Sequence, residues 1–262
     1  MTDTVLGAAP VRGAPFAPYH KWDRNFFLAL VLGIWLGVVM GFGGEIAGRL
    51  HIGAPAYPWI VHVHAVAFVA WLVLLTTQVL LIRAKRPQLH YRLGAGMMGL
   101  ALFMVIVGPA TAIVMQRAEF GTKDSDPAFL AIQLGDIVGF AGLVTAAYLA
   151  RHASSAHKRL MLLSTLFIAD AGFARWLSPG LATALGYGAW PTVGFGPFLV
   201  STYLPNDLLI LSLGAYDLIT RKRLHPAYLW GVAWVAGLQL TIAYLYTTAP
   251  FWKALAIRLI WL

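Results

Sequence analysis

Seven apolar stretches, 26–44, 59–82, 93–115, 128–150, 160–177, 198–219 and 226–247, divide this 262-residue chain. Each holds about 18 to 24 residues, enough to cross a hydrocarbon core of ~30 Å at ~1.5 Å per residue. Within a bilayer only helices and closed barrels satisfy every backbone polar group. The alternating ~10-residue segments of a barrel are absent from the sequence. The expected fold is therefore an all-α integral membrane protein, a seven-transmembrane-helix bundle forming one domain over residues 25–249. Composition agrees, with 11% charged residues against about 25% in soluble domains.

The flanks read differently. Residues 1–24 are rich in Pro, Ala and Gly, lack the apolar core of a signal peptide, and are expected to be a disordered tail. Residues 250–262 are too few to span, and Trp252, Lys253, Arg258 and Trp261 suit a helix lying in the interface. The segment 178–197 carries five glycines and three prolines. It is expected to be a long non-helical loop, either a lid over the bundle or a re-entrant segment buried in protein.

The net charge of +9 is sorted by loop. Thirteen Lys and Arg fall on the side of the N-terminus: Arg12, Lys21 and Arg24, then the clusters 83–92, 151–159 and 221–223. Six fall on the other side: Arg49, Arg117, Lys123, Arg175, Lys253 and Arg258. The positive-inside rule then puts the N-terminus in the cytoplasm and the C-terminal helix outside, in a bacterial inner membrane. Orientation and anionic membrane lipids account for the basic excess, so nucleic acid is not an expected partner. The absence of cysteine excludes disulfides, iron–sulfur ligation, thiolate zinc and blue copper.

Two motif matches are read as incidental. Gly94-Ala95-Gly96-Met97-Met98-Gly99 fits G-x-G-x-x-G but lies inside a span with no strand before it, so close helix packing is the expected reason. Gly135 and Gly139 are read the same way. Thr192-Val193-Gly194-Phe195-Gly196 resembles a potassium-channel filter, but prolines flank it and a filter needs four such loops.

Polar residues inside the spans form one level. Asp136, Asp170, Asp207 and Gln239 each lie seven to nine residues from the outer end of a span, so roughly 12 Å deep. Asn206 adjoins Asp207, and Arg175 is shallower on the helix of Asp170. Carboxylates in hydrocarbon are costly and mark ion, proton or ligand sites. The structural alternative is that Arg175 pairs with one aspartate and the rest bond their helix neighbours. His62 and His64 enter the second span from the same side. Side chains two apart on a helix point about 200° apart, so His64 is the inward candidate and His62 faces the interface. A small cation or polar molecule would bind at this level.

A second set of histidines lies at the inner edge. His90 and His157 begin different helices at one height, as axial ligands of a b-type haem would. His157 and Met161 are spaced i,i+4, as a soft copper pair would be. The alternative is that these histidines, with Lys158, Arg159 and His225, are anchors facing lipid phosphates.

The run His64…Gln78…His90-Tyr91-Arg92-Leu93-Gly94, followed by His157-Lys158-Arg159-Leu160-Met161…Arg175, resembles the bacterial membrane family DUF2306. That family's pattern is a helix-entry His, a mid-helix Gln, H-R-x-x-G, and H-R-R-x-M ending in Arg. Here Tyr91 stands in place of the usual Arg and Lys158 in place of another. The match covers residues 59–178, and a fainter similarity extends to the DUF420 type associated with oxidase maturation. The resemblance implies the multi-pass fold, haem or copper biology and a respiratory-complex partner, and it carries no catalytic role.

Three readings follow. The first is a haem- or copper-binding protein using His64, His90, His157 and Met161. The second is a transporter or sensor at the aspartate level, with 178–197 as its gate. The third is an intramembrane enzyme acting on lipid or quinone. The sequence has no H-E-x-x-H, histidine box or G-x-S-x-G for that chemistry.

Overall fold

The computed structural model describes residues 16–262. Seven helices are long and apolar enough to cross a membrane: α1 Asp23–His51, α2 Trp59–Arg83, α3 Pro87–Glu119, α4 Leu130–Leu149, α5 Ser154–Ala184, α6 Phe195–Arg221 and α7 Pro226–Thr247. A single 3-10 turn, Pro127–Phe129, leads into α4, and an eighth helix, α8, follows at Pro250–Ile260. Among the described residues there is no strand. The chain is an all-helical, multi-pass membrane protein. We call the end at which α1 begins the near end and the opposite one the far end.

Local chemistry sets several boundaries. Pro87, Pro226 and Pro250 open their helices, where a missing N–H costs nothing. His225 caps α7, its Nδ1 accepting from the Ala227 N–H at 3.0 Å. Lys222 closes α6 in a left-handed conformation. The expected span at 226–247 coincides with α7, and the other six lie within or nearly within their helices.

Helix α5 is the axis of the bundle. It packs against α1, α4, α6 and α7. Of its apolar stretch 67% is buried, against 28% for α2. Leu163, Leu166 and Phe167 form its innermost surface, while Leu32, Leu36, Ile219 and Trp230 on other helices stay exposed, as lipid-facing residues do. Glycines allow the closest crossings. Gly41 of α1 abuts the backbone of Gly172 on α5, and Gly139 of α4 abuts the Phe167 ring. Gly135 lies against Ile242. The G-x-G-x-x-G stretch behaves otherwise: Gly96 and Gly99 face open space, so close packing does not explain them.

The segment 178–197 departs from expectation. Helix α5 runs on through Pro179 to Ala184, and α6 already begins at Phe195, leaving only 185–194 without helix. A proline in a helix removes one backbone bond, and here the turn continues because Ser178 and Ala182 are buried against the bundle. Longer helices also move the polar level. Asp170 and Asp207 lie near the midpoints of α5 and α6, deeper than the expected spans placed them.

The N-terminal expectation changes for residues 16–24, whereas 1–15 lie outside the described residues. Helix α1 starts at Asp23, and the strand of chain before it is docked: Arg221 Nε donates to the Ala17 carbonyl at 2.9 Å and Lys158 Nζ to the Pro18 carbonyl at 3.1 Å. At the far end α8 is amphipathic. Trp252, Ala256 and Ile260 are buried, Lys253 and Arg258 are exposed, and Trp252 Nε1 donates to the Ala128 carbonyl at 2.9 Å.

Candidate functional site

The expected polar level forms. Asp136 comes from α4, Asp170 from α5, Tyr203, Asn206 and Asp207 from α6, and Gln239 from α7. Asp170 is 3% exposed, Tyr203 1% and Asn206 0%. Gln239 Nε2 donates to Asp207 Oδ1 at 2.9 Å, and Asn206 Nδ2 donates to the Leu166 carbonyl at 2.9 Å. Asp136 and Asp170 lie within electrostatic reach of each other, as do Asp170 and Asp207, and Tyr203 lies within reach of all three. Four buried oxygens here have no hydrogen-bond partner: Asp136 Oδ1, Asp170 Oδ1, Asn206 Oδ1 and Tyr203 Oη. Each such atom costs about 1–3 kcal/mol in a folded protein, so a group of them calls for a reason.

Local sequence prepares α6 for this role. Pro205 sits inside the helix beside Asn206 and lacks the N–H that the Ser201 carbonyl would otherwise accept. In membrane helices such interruptions accompany buried polar sites. Pro205 is the signal that reading the span for charge alone passed over.

Arg175 corrects the structural alternative. Its Nε donates to Glu45 Oε2 of α1 at 2.6 Å and its Nη1 to the Ala171 carbonyl at 2.9 Å. Glu45 also accepts from the Tyr57 hydroxyl at 2.6 Å. Burial and that bond push the Tyr57 phenol up to about 12. Arg175 is therefore held by a carboxylate other than the three aspartates. His64 is half-buried and stacked on Phe68 with ring centroids 4.0 Å apart, its Nδ1 without a partner. His62 is exposed along an apolar groove with Val66, Ala70, Leu100 and Phe103. It lies on an exposed face of α2, as the 200° offset from His64 leads one to expect.

The short loop 185–194 lies on the first turns of α6. Trp190 Nε1 donates to Thr202 Oγ1 at 3.1 Å, and the hydroxyls of Thr192 and Ser201 are 3.1 Å apart. Thr202 and Ser201 immediately precede Tyr203, so the loop roofs the level from the far end. Ser178, fully buried with an unpartnered hydroxyl, stands on α5 two turns beyond Asp170.

At the near end His90 and His157 do meet, edge to face, with ring centroids 6.2 Å apart. His157 Nδ1 is 2.8 Å from the Ala147 carbonyl, which fixes the ring and leaves Nε2 free. Gln78 is 6% exposed with neither amide atom bonded. Met161 is in the core, its carbonyl accepting from Ser164 and Thr165. Among the described residues no three His, Asp or Glu side chains gather as a metal-binding group.

Sequence reasoning missed a buried ion network beside them. Arg159 and Asp217 are both 0% exposed and make a two-pronged pair, Nε to Oδ2 at 2.7 Å and Nη2 to Oδ1. Arg159 Nη1 adds the Ser155 carbonyl and hydroxyl. Asp23 accepts from Lys158 at 2.6 Å, from Arg221 at 2.9 Å and from the Tyr216 hydroxyl at 2.5 Å. Phe16 lies over the guanidinium groups of Arg159 and Arg221, 4.8 and 5.3 Å away. Lys158 and Arg159 thus hold helices together instead of facing phosphates.

No family model matches the chain, and no curated protein or solved structure shows significant similarity to it.

Proposed function

We propose that this multi-pass protein binds a small cation or polar solute at the level of Asp136, Asp170 and Asp207, as a transporter or sensor. The observation that carries the reading is the group of four buried, unpartnered oxygens on α4, α5 and α6 around Tyr203. Neighbouring carboxyl groups in a low-dielectric interior hold protons or a counter-cation, and the nearest guanidinium, Arg175, is engaged by Glu45. By the positive-inside rule the loop 185–194 faces outward and the buried ion network lies toward the cytoplasm, so a ligand would enter from the outer face. The test is calorimetric titration of the detergent-solubilised protein with inorganic cations and small amines. Saturable binding that is lost in Asp207→Asn supports the reading. No saturable binding by any of them overturns it.

A second reading rests on the near-end histidines. The facing of His90 and His157, with His157 Nε2 free, supports a b-type haem held between them, or copper at His157 and Met161. The DUF2306 resemblance leans the same way, toward a respiratory-complex partner. Its test is the absorption spectrum and metal content of protein expressed with ample haem and copper. A Soret band abolished by His157→Ala supports it, and colourless, copper-free protein overturns it.

A further inference from the structure

The unpartnered atoms of the carboxyl level share one character. Asp136 Oδ1, Asp170 Oδ1, Asn206 Oδ1 and Tyr203 Oη are all oxygens. The amide nitrogens beside them are already engaged, Asn206 Nδ2 by the Leu166 carbonyl and Gln239 Nε2 by Asp207. The carboxylate and amide oxygens only accept, and the Tyr203 hydroxyl accepts as well as donates, so the ligand that fits best supplies hydrogen-bond donors and, beside three carboxyl groups, positive charge. His64 Nδ1, also unpartnered, can accept as well when the ring is neutral.

A bare metal ion matches this arrangement poorly. Hard cations draw oxygens to one centre at about 2–2.6 Å, and among the described residues no three carboxyl or imidazole groups gather in that way. The oxygens instead stand on three helices, α4, α5 and α6, with Tyr203 within electrostatic reach of all three aspartates. Separate acceptors on three helices suit a polyatomic cation, whose several N–H bonds reach different oxygens.

From this the geometry points to an organic ammonium ion as the ligand class. The inference rests on the cation reading above and narrows it. Asp170 is the principal acceptor, being the carboxyl group most enclosed and unpartnered at one oxygen. Tyr203 accepts a further N–H through its hydroxyl. The hydroxyls of Ser201 and Thr202, bonded to the loop 185–194, lie on the far-end side of Tyr203 on α6.

The experiment is calorimetric titration of the solubilised full chain with methylamine, 1,4-diaminobutane, tetramethylammonium, and the chlorides of sodium, potassium and calcium. Saturable binding is expected for an amine, at least tenfold weaker for tetramethylammonium, which has charge but no N–H. Asp170→Asn is expected to weaken amine binding at least tenfold and Tyr203→Phe severalfold. If Asp170→Asn does not fold, Asp207→Asn, whose amide oxygen still accepts from Gln239, replaces it with the same expectation. Saturable, aspartate-dependent binding of a metal ion without any amine overturns the ammonium assignment and leaves the cation reading standing. Amine binding indifferent to these substitutions also overturns the assignment. No saturable binding by any probe overturns both.

Discussion

Arg175 Nε donates to Glu45 Oε2 at 2.6 Å, tying α5 to α1, and its guanidinium makes no hydrogen bond to Asp170 on its own helix. The consequence is electrostatic. Arg175 lies within electrostatic reach of Asp136 and Asp170 but shares its charge with Glu45, so one guanidinium does not balance three carboxyl groups and the level can accept positive charge from outside.

Releasing Arg175 should therefore weaken binding more than folding. Both partners are about a third exposed, and pairs of that kind contribute at most ~1 kcal/mol. Glu45→Gln is expected to shift the unfolding midpoint by only a few degrees. It should lower cation affinity severalfold, because the freed guanidinium competes for Asp170. Calorimetry and thermal unfolding on the same preparation check both halves.

The pair of Arg159 and Asp217 calls for the opposite result. Removing one member of a buried pair costs about 3–5 kcal/mol because the other is left charged and alone. Asp217→Asn should cost more than Arg159→Met, since in the latter Arg221 remains 3.8 Å from Asp217. The double substitution Arg159→Met with Asp217→Leu should recover most of the loss. Denaturant unfolding in detergent of the three variants measures the order.

Helix crossings give a third contrast. A side chain at Gly139 would enter the Phe167 ring, and one at Gly41 the Gly172 backbone, two residues from Asp170. Gly139→Leu is expected to destabilise by about 1–3 kcal/mol through overpacking. Gly96→Ala, facing open space, should be neutral or gain up to ~1 kcal/mol from helix propensity. Thermal unfolding distinguishes the two.

His225 supplies a pH dependence outside the membrane-spanning helices. Burial, then the positive charge of Arg159, lowers its imidazole from 6.5 to about 4. The neutral ring is the form that caps α7. A base lowered in the folded state takes up its proton first in the unfolded chain, so stability is full above pH 6.5 and falls as pH drops toward 4. His225→Asn, which keeps a capping acceptor, should flatten the unfolding midpoint across that window.

The sequence's legibility differed by kind of feature. Apolar length alone placed α7 at its observed bounds, and span counting brought Asp207 level with Gln239, which it touches. His90 and His157 met as their shared depth required. Depth does not reveal partners, however. Arg159 at a span edge looks the same whether it faces phosphate or Asp217, 58 residues on. Spacing matches Arg175 to the aspartate on its own helix and to the level below it because Glu45, 130 residues away, lies just past a span end. Pro179 and nearby glycines read as loop because local propensity weighs against helix there, whereas burial of Ser178 and Ala182 decides for it.

The central claim is that the carboxyl level binds a cation, and infrared difference spectroscopy reads those carboxyl groups themselves. Methylamine and sodium chloride would each be perfused over the solubilised protein. Carboxyl-stretch changes are expected in at least one case, with bands removed one at a time in Asp136→Asn, Asp170→Asn and Asp207→Asn. A difference spectrum without carboxyl bands, or one unchanged in all three variants, would contradict it.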